Sequence, residues 1–346
     1  MSERDDDSGF EDYARSLFTQ VDAPGRLDRW RHGVPAAHPG SRGRRLVAML
    51  AAAVLVVVTI SGITIGRRLL HPPAPPSPAV STTEAPRETS STRPSANPTP
   101  APSSRPSARG WPDAGDTGVP RHVSLREHPG DLRVRKPGQV VDGLRVTGSV
   151  FVEAANVTLR NMKIVPGDGA LFGIRQQPGA RGLVIEDTEI VGGAEYAVRQ
   201  EASGLSVRRA RIHGADVGLV LAERASVTDS YIHDVNSMGI YHAGGAPHVL
   251  IEHNTILNPS AANATISLYT DSGPQTDVLI QDNLLDGGNY TLAAGAGSGS
   301  HHIRVIRNRF RDHGKYGPAV AFDKDAPGNL WQDNTWVATE KQISPP

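Results

Sequence analysis

The sequence predicts an all-β fold, a single-stranded parallel β-helix of about eight coils carried outside a membrane on an extended stalk. Three observations predict it: eight copies of a short Val- and Ile-rich segment from residue 157 onward, an Asn recurring at one place in the last copies, and an uncharged run of 21 residues followed by a Pro-rich stretch.

The chain has 346 residues, with 36 Lys+Arg against 36 Asp+Glu. That balance argues against a nucleic-acid partner, which would need a basic surface. By segment, residues 1–45 hold eight acids and eight bases, residues 67–112 two acids and six Arg, and residues 113–346 26 acids and 22 bases. No Cys is present, so disulfides, thiolate metal sites and a Cys nucleophile are excluded.

Residues 1–45 read as a cytoplasmic tail. Within it Phe10, Tyr13, Ala14, Leu17, Phe18 and Val21 recur at helical spacing, and Ser8 with Glu11 forms a capping box. The spacing predicts a short amphipathic helix over 8–21, suited to a cytoplasmic partner or the inner leaflet. Leu46 to Gly66 is long enough to span a bilayer of about 30 Å. Six Arg from Arg26 to Arg45 precede that span closely, against Arg67 and Arg68 after it. The positive-inside rule therefore places the N-terminus in the cytoplasm and everything after the span outside the cell. Residues 72–112 hold 12 of the 27 Pro, mixed with Ser and Thr, a composition that buries no core and predicts an extended stalk over 67–112.

The β-helix is expected over 113–346. The copies begin with VTLRNMKI at 157–164 and LVIEDTEI at 183–190 and end with NLWQDNTW at 329–336. Their third positions are Leu159, Ile185, Val207, Val227, Ile251, Ile280, Val305 and Trp331, and each is followed five residues later by another apolar residue. Alternation at period two is the pattern of strands, not of helical repeats. Asn254, Asn283, Asn308 and Asn334 stand three residues after the third position. Asn tolerates a left-handed corner, and its amide can bond to the coils above and below, so a stacked ladder is expected there.

On TGVP (117–120), VVDGLRVTGSVFVEAANVTLRNMKI (140–164) and PGNLWQDNTW (327–336), the chain resembles the right-handed parallel β-helix proteins of the pectate-lyase-like superfamily. Within that superfamily it is similar to a set of secreted or anchored actinobacterial members. The resemblance implies a right-handed coil and a polysaccharide groove on the outer face of the third strand of each coil. It extends to polysaccharide lyases, glycoside hydrolases, uronan epimerases and members with no assigned reaction. The repeat region carries no G-H-G, N-T-D or D-D run and no D-P-H-D, so the catalytic patterns of the galacturonan hydrolases and uronan epimerases are missing.

The third strands align with Ile174, Val198, Leu219, Ile240, Leu268, Leu292 and Val320 pointing inward. Arg175, Arg199, Val220, Tyr241, Tyr269, Ala293 and Ala321 then point outward, with a second outward row that includes Glu201, Asp271 and Asp323. Arg175, Arg199, Tyr241 and Tyr269 are the candidate substrate-binding residues. Asp271 and Asp323 are the candidate carboxyl pair, two coils or about 9.6 Å apart on rungs of about 4.8 Å, a spacing that permits inversion at a glycosidic bond. His242 joins the catalytic candidates if the register slips by one. His213 and His233 share one offset and should stack on adjacent coils, with Asp234 beside the second. Between Arg224 and Arg304 there is no Lys or Arg, but seven acids: Asp229, Asp234, Glu252, Asp271, Asp277, Asp282 and Asp286. Ca²⁺ is the candidate cofactor for that stretch. The leading expectation is an anchored extracellular β-helix that engages polysaccharide. A non-catalytic wall-binding module and a surface sensor signalling through the cytoplasmic helix are the alternatives.

Overall fold

The structure, a computed structural model, describes residues 110–259, 261–297 and 299–346. The expected tail helix 8–21, the span 46–66 and nearly all of the stalk lie outside these residues. Among the described residues no helix is long and apolar enough to cross a membrane.

Among the described residues 28 strands, β1 (Arg126–His128) to β28 (Thr335–Trp336), form three parallel sheets. Sheet A has ten strands, and sheets B and C nine each. Every third strand in sequence is a neighbour in space, so the chain winds as a solenoid with one strand per sheet per coil. The third coil illustrates it: β9 (Leu183–Glu186) lies in sheet C, β10 (Glu189–Val191) in sheet A and β11 (Ala194–Gln200) in sheet B. Sheet C pairs Leu159, Ile185, Val207, Val227, Ile251, Ile280, Val305 and Trp331 in one unbroken row, as expected. Sheet A pairs Ile164, Ile190, Ile212, Ile232, Ile256, Leu285, Phe310 and Trp336 likewise. Most of these side chains are fully buried and belong to one core running the length of the coil. At roughly 1.5–3 kcal/mol for each buried aliphatic chain, such a core needs no disulfide.

The Asn ladder is present, with one correction. The left-handed corner residue is the one before the Asn: Asn161, Asp187, Arg209, Asp229, His253, Asp282, Arg307 and Asp333 have φ between 49° and 55°. The Asn itself turns inward and is fully buried at 254, 283, 308 and 334. Asn283 Oδ1 accepts from the N–H and Nδ2 of Asn254, at 2.9 and 3.0 Å. Asn308 does the same for Asn283, and Asn334 for Asn308. The ladder runs on into the earlier coils through Ser230, whose N–H donates to Asn254 Oδ1 at 2.9 Å and whose Oγ accepts from Ala210 N–H at 3.0 Å.

Two further segments frame the coil. Trp331 Nε1 donates to Ile343 O at 2.7 Å, and Thr335 bridges Gln342 in the antiparallel sense, which folds the C-terminal residues over the last rung. At the other end, residues 110–123 lie along the corner between sheets C and A. The Trp111 ring sits 5.8 Å from that of His253, Pro112 is buried, and Gly118 N–H donates to Arg209 O at 2.8 Å.

Candidate functional site

The site is built on the outer face of sheet B. Its strands are β8 (Ala170–Gln176), β11, β14 (Val217–Leu221), β17 (Met238–His242), β20 (Ala264–Leu268), β23 (Tyr290–Ala294) and β26 (Gly317–Val320). The inward row is Ile174, Val198, Leu219, Ile240, Ile266, Leu292 and Ala319. Two rungs therefore differ from the expected register. In β20 the inward residue is Ile266 in place of Leu268, and in β26 it is Ala319 in place of Val320. Ala264, Ile266 and Leu268 are all apolar at period two, and a slip of two leaves every side chain on its own face, so alternation cannot tell these registers apart. Ala319 and Val320 are adjacent apolar residues and give no alternation at all.

The outward row is accordingly Arg175, Arg199, Val220, Tyr241, Ser267, Ala293 and Val320. Tyr269 moves beyond the strand, where its N–H donates to His242 O at 2.9 Å. Tyr241 and Tyr269 still meet, with ring centroids 5.7 Å apart and nearly edge to face. The Tyr241 hydroxyl donates to Asp271 Oδ2 at 2.8 Å. Burial, reinforced by that carboxylate, pushes the Tyr241 hydroxyl well above the usual phenol range. The structure thus brings Tyr241, Tyr269 and Asp271 together by a route the alignment did not contain.

Arg175 and Arg199 lie over aromatic rings: the guanidinium carbons stand 4.9 Å from the Phe172 ring and 5.3 Å from the Tyr196 ring. Each also donates its Nε–H to Glu201, at 2.9 Å. The device recurs one coil earlier, where Arg133 lies 4.6 Å over Phe151 and pairs with Glu153. Phe172, Tyr196, Val217, Val220, Met238 and Tyr241 form an apolar cluster of their own outside the core. Sequence reasoning missed this row of rings, although F-x-x-R at 172–175 and Y-x-x-R at 196–199 carry its signal.

His242 does not reach this face. It stands in register with Leu221 and Leu268, two core residues, and is 1% exposed. Its Nδ1–H donates to Gln275 Oε1 at 2.7 Å, and burial lowers its pKa, so it is a neutral side chain clipping a corner. Asp323 is likewise not beside Asp271. It is exposed, and its Oδ1 accepts from the N–H groups of Asp325 and Ala326 at 3.0 and 3.2 Å, capping the turn that leads to sheet C. His213 and His233 stack as expected, with centroids 4.8 Å apart, but on sheet A. There Glu189 receives Lys163, Arg211 and His213. Burial alone would raise the Glu189 pKa, and these donors outweigh it and hold the carboxyl far below its ordinary value.

Among the described residues the acidic stretch is dispersed over several partners. Asp229 holds His253, Asp234 holds His233, Glu252 holds Gln281, Asp271 holds Tyr241, Asp282 holds Arg307 and Asp286 holds His313.

Residues 142–335 match the family described as a right handed beta helix region. The chain belongs to the right-handed β-helix family. No curated protein matches this β-helix in sequence. Among solved structures it is similar to a double mutant of the tailspike protein of E. coli bacteriophage HK620, at 12% identity and a TM-score of 0.36, over 66% of this chain and 57% of the tailspike.

Proposed function

We propose that this β-helix is an anchored extracellular protein that binds a polysaccharide along the outer face of sheet B. In this reading residues 46–66 are the anchor, residues 67–112 the stalk, and the N-terminal 45 residues stay in the cytoplasm. The observation that carries the proposal is the composition of that face. Phe172 and Tyr196 stack on adjacent rungs, Arg175 and Arg199 are held over those two rings, and Tyr241, Tyr269 and Asp271 cluster farther along the same face. Phe172, Tyr196 and Tyr241 are buried and stiffen the face, the half-buried Tyr269 ring offers apolar contact to the C–H face of a pyranose, and guanidinium and carboxylate groups beside it bond its hydroxyls.

Binding without turnover is the reading these side chains favour. Glycoside hydrolysis needs two carboxyl groups facing one bond, whereas Asp271 is engaged by Tyr241, Asp323 caps a turn and His242 is sealed in the core. The test uses the full chain in detergent against a panel of neutral and acidic polysaccharides, measuring affinity by calorimetry and reducing ends in the same samples. Saturable binding without new reducing ends is expected, weakened roughly tenfold in Tyr269→Ala. Unchanged affinity in that variant would reject this face, and new reducing ends would replace binding by hydrolysis.

A further inference from the structure

A second cluster lies on a different part of the coil, the corner where sheet B hands over to sheet C. His248, Asp277 and His302 occupy the same place on three successive rungs, each just before the paired residues Val249, Val278 and Ile303. All three have left-handed backbones, with φ of 67°, 52° and 55°. Of the seven acids between Arg224 and Arg304, Asp277 alone makes no hydrogen bond among the described residues. It stands between two imidazoles: His248 Nδ1 is 3.6 Å from its Oδ2 and His302 Nδ1 is 3.9 Å from its Oδ1. His301 adds a third ring, its Nδ1 2.7 Å from His302 Nδ1. The His302 ring rests against Gly328, where φ is 71° and an added Cβ would fall 2.0 Å from the ring.

We propose that His248, Asp277, His301 and His302 bind one divalent transition-metal ion of the Zn²⁺ class. Three imidazole nitrogens and one carboxylate oxygen suit Zn²⁺, Co²⁺ or Ni²⁺, while Ca²⁺ and Mg²⁺ prefer all-oxygen sets. Two nitrogens bound tetrahedrally at about 2.05 Å lie roughly 3.3 Å apart. The observed spacings of 2.7, 3.6 and 3.9 Å fall on both sides of that value. As the side chains lie, no three ligating groups among the described residues share a common point. The side chains of His248, Asp277 and His302 are 51%, 47% and 54% exposed, which leaves them room to rotate toward a common ion. The bound ion cross-links three coils at one corner. It lies apart from the sheet B face, so this proposal and the binding proposal stand or fall separately.

The experiment is a Co²⁺ titration of the full chain at about pH 7.5, where histidine is largely neutral. One saturable equivalent with the intense visible bands of a tetrahedral ion is expected, displaced by Zn²⁺. Asp277→Asn and His302→Asn keep residues that tolerate a left-handed backbone, and each should weaken binding by at least roughly tenfold. His233→Ala, at the stacked pair on sheet A, should leave it unchanged. Far-UV circular dichroism establishes that each variant is folded. Absence of a saturable site, equal affinity in the folded Asn variants, or loss of binding in His233→Ala instead would each overturn the assignment.

Discussion

Replacing Asn283 by Ala tests the ladder at its centre. The Asn283 side chain is fully buried; its Oδ1 takes two donors from Asn254, and its Nδ2 donates to Ile251 O, Gln281 O and Asn308 Oδ1. Alanine leaves the Asn254 N–H and Nδ2 without their acceptor, in a place water does not reach. Each stranded buried group costs about 1–3 kcal/mol, so a loss of about 4 kcal/mol is expected, close to a thousandfold in the folding equilibrium. Asn334→Ala strands the same two donors, those of Asn308, but should cost somewhat less, because no ladder Asn beyond it accepts from its Nδ2, which serves Val305 O alone. Asn236, exposed on a loop, serves as the control. Urea unfolding followed by far-UV circular dichroism gives the midpoints, compared at matched slope because a repeat protein can lose cooperativity. If Asn283→Ala costs no more than Asn236→Ala, the ladder does not hold the coils.

Two more outcomes follow from the same structure. Burial depresses the His242 pKa in the folded state, so the unfolded chain takes up the proton first; stability is present above about pH 6.5 and is lost as pH falls below it. The unfolding midpoint should drop between about pH 7.5 and pH 5.5, and His242→Leu, matching Leu221 and Leu268, should flatten that slope. An added Cβ at Gly218 would stand 2.3 Å from Gly239 O on the next rung, a backbone atom that cannot yield. Gly218→Ala is therefore expected to destabilise by about 3 kcal/mol in the same urea assay, and a change near zero would mean the rungs can spread.

The two core rows of sheets C and A were legible because a strand buried on one face writes its register as alternation, and each copy from Leu159 to Trp331 keeps it. Sheet B was legible only where an alternating strand meets a unique partner, as in Ile174, Val198, Leu219 and Ile240. At Ile266 the period-two pattern admits a slip of two, and that slip moved Tyr269 off its expected place. Meetings made by loops leave no such mark. The Tyr241 contact with Asp271 spans 30 residues and depends on how the chain turns after β20. The corner was half legible: Asn was recognised, but the left-handed strain falls on its predecessor, because the amide must turn inward to bond between coils. His242 was misplaced by chemistry, since a histidine in a core row is unexpected until Gln275 is seen beside it.

The path of residues 110–123 decides how this protein bears load. The chain meets the coil part-way along its flank, at Trp111 beside His253, then runs back past Arg209 before β1 begins. A pull through residue 110 is therefore taken first in shear along the outside of the Asn corner, not as a peel of the first rung. Under a pull at residue 110 the strap must come away before the first coil can unwind, which in the anchored arrangement proposed above shields the open end of the solenoid from that force.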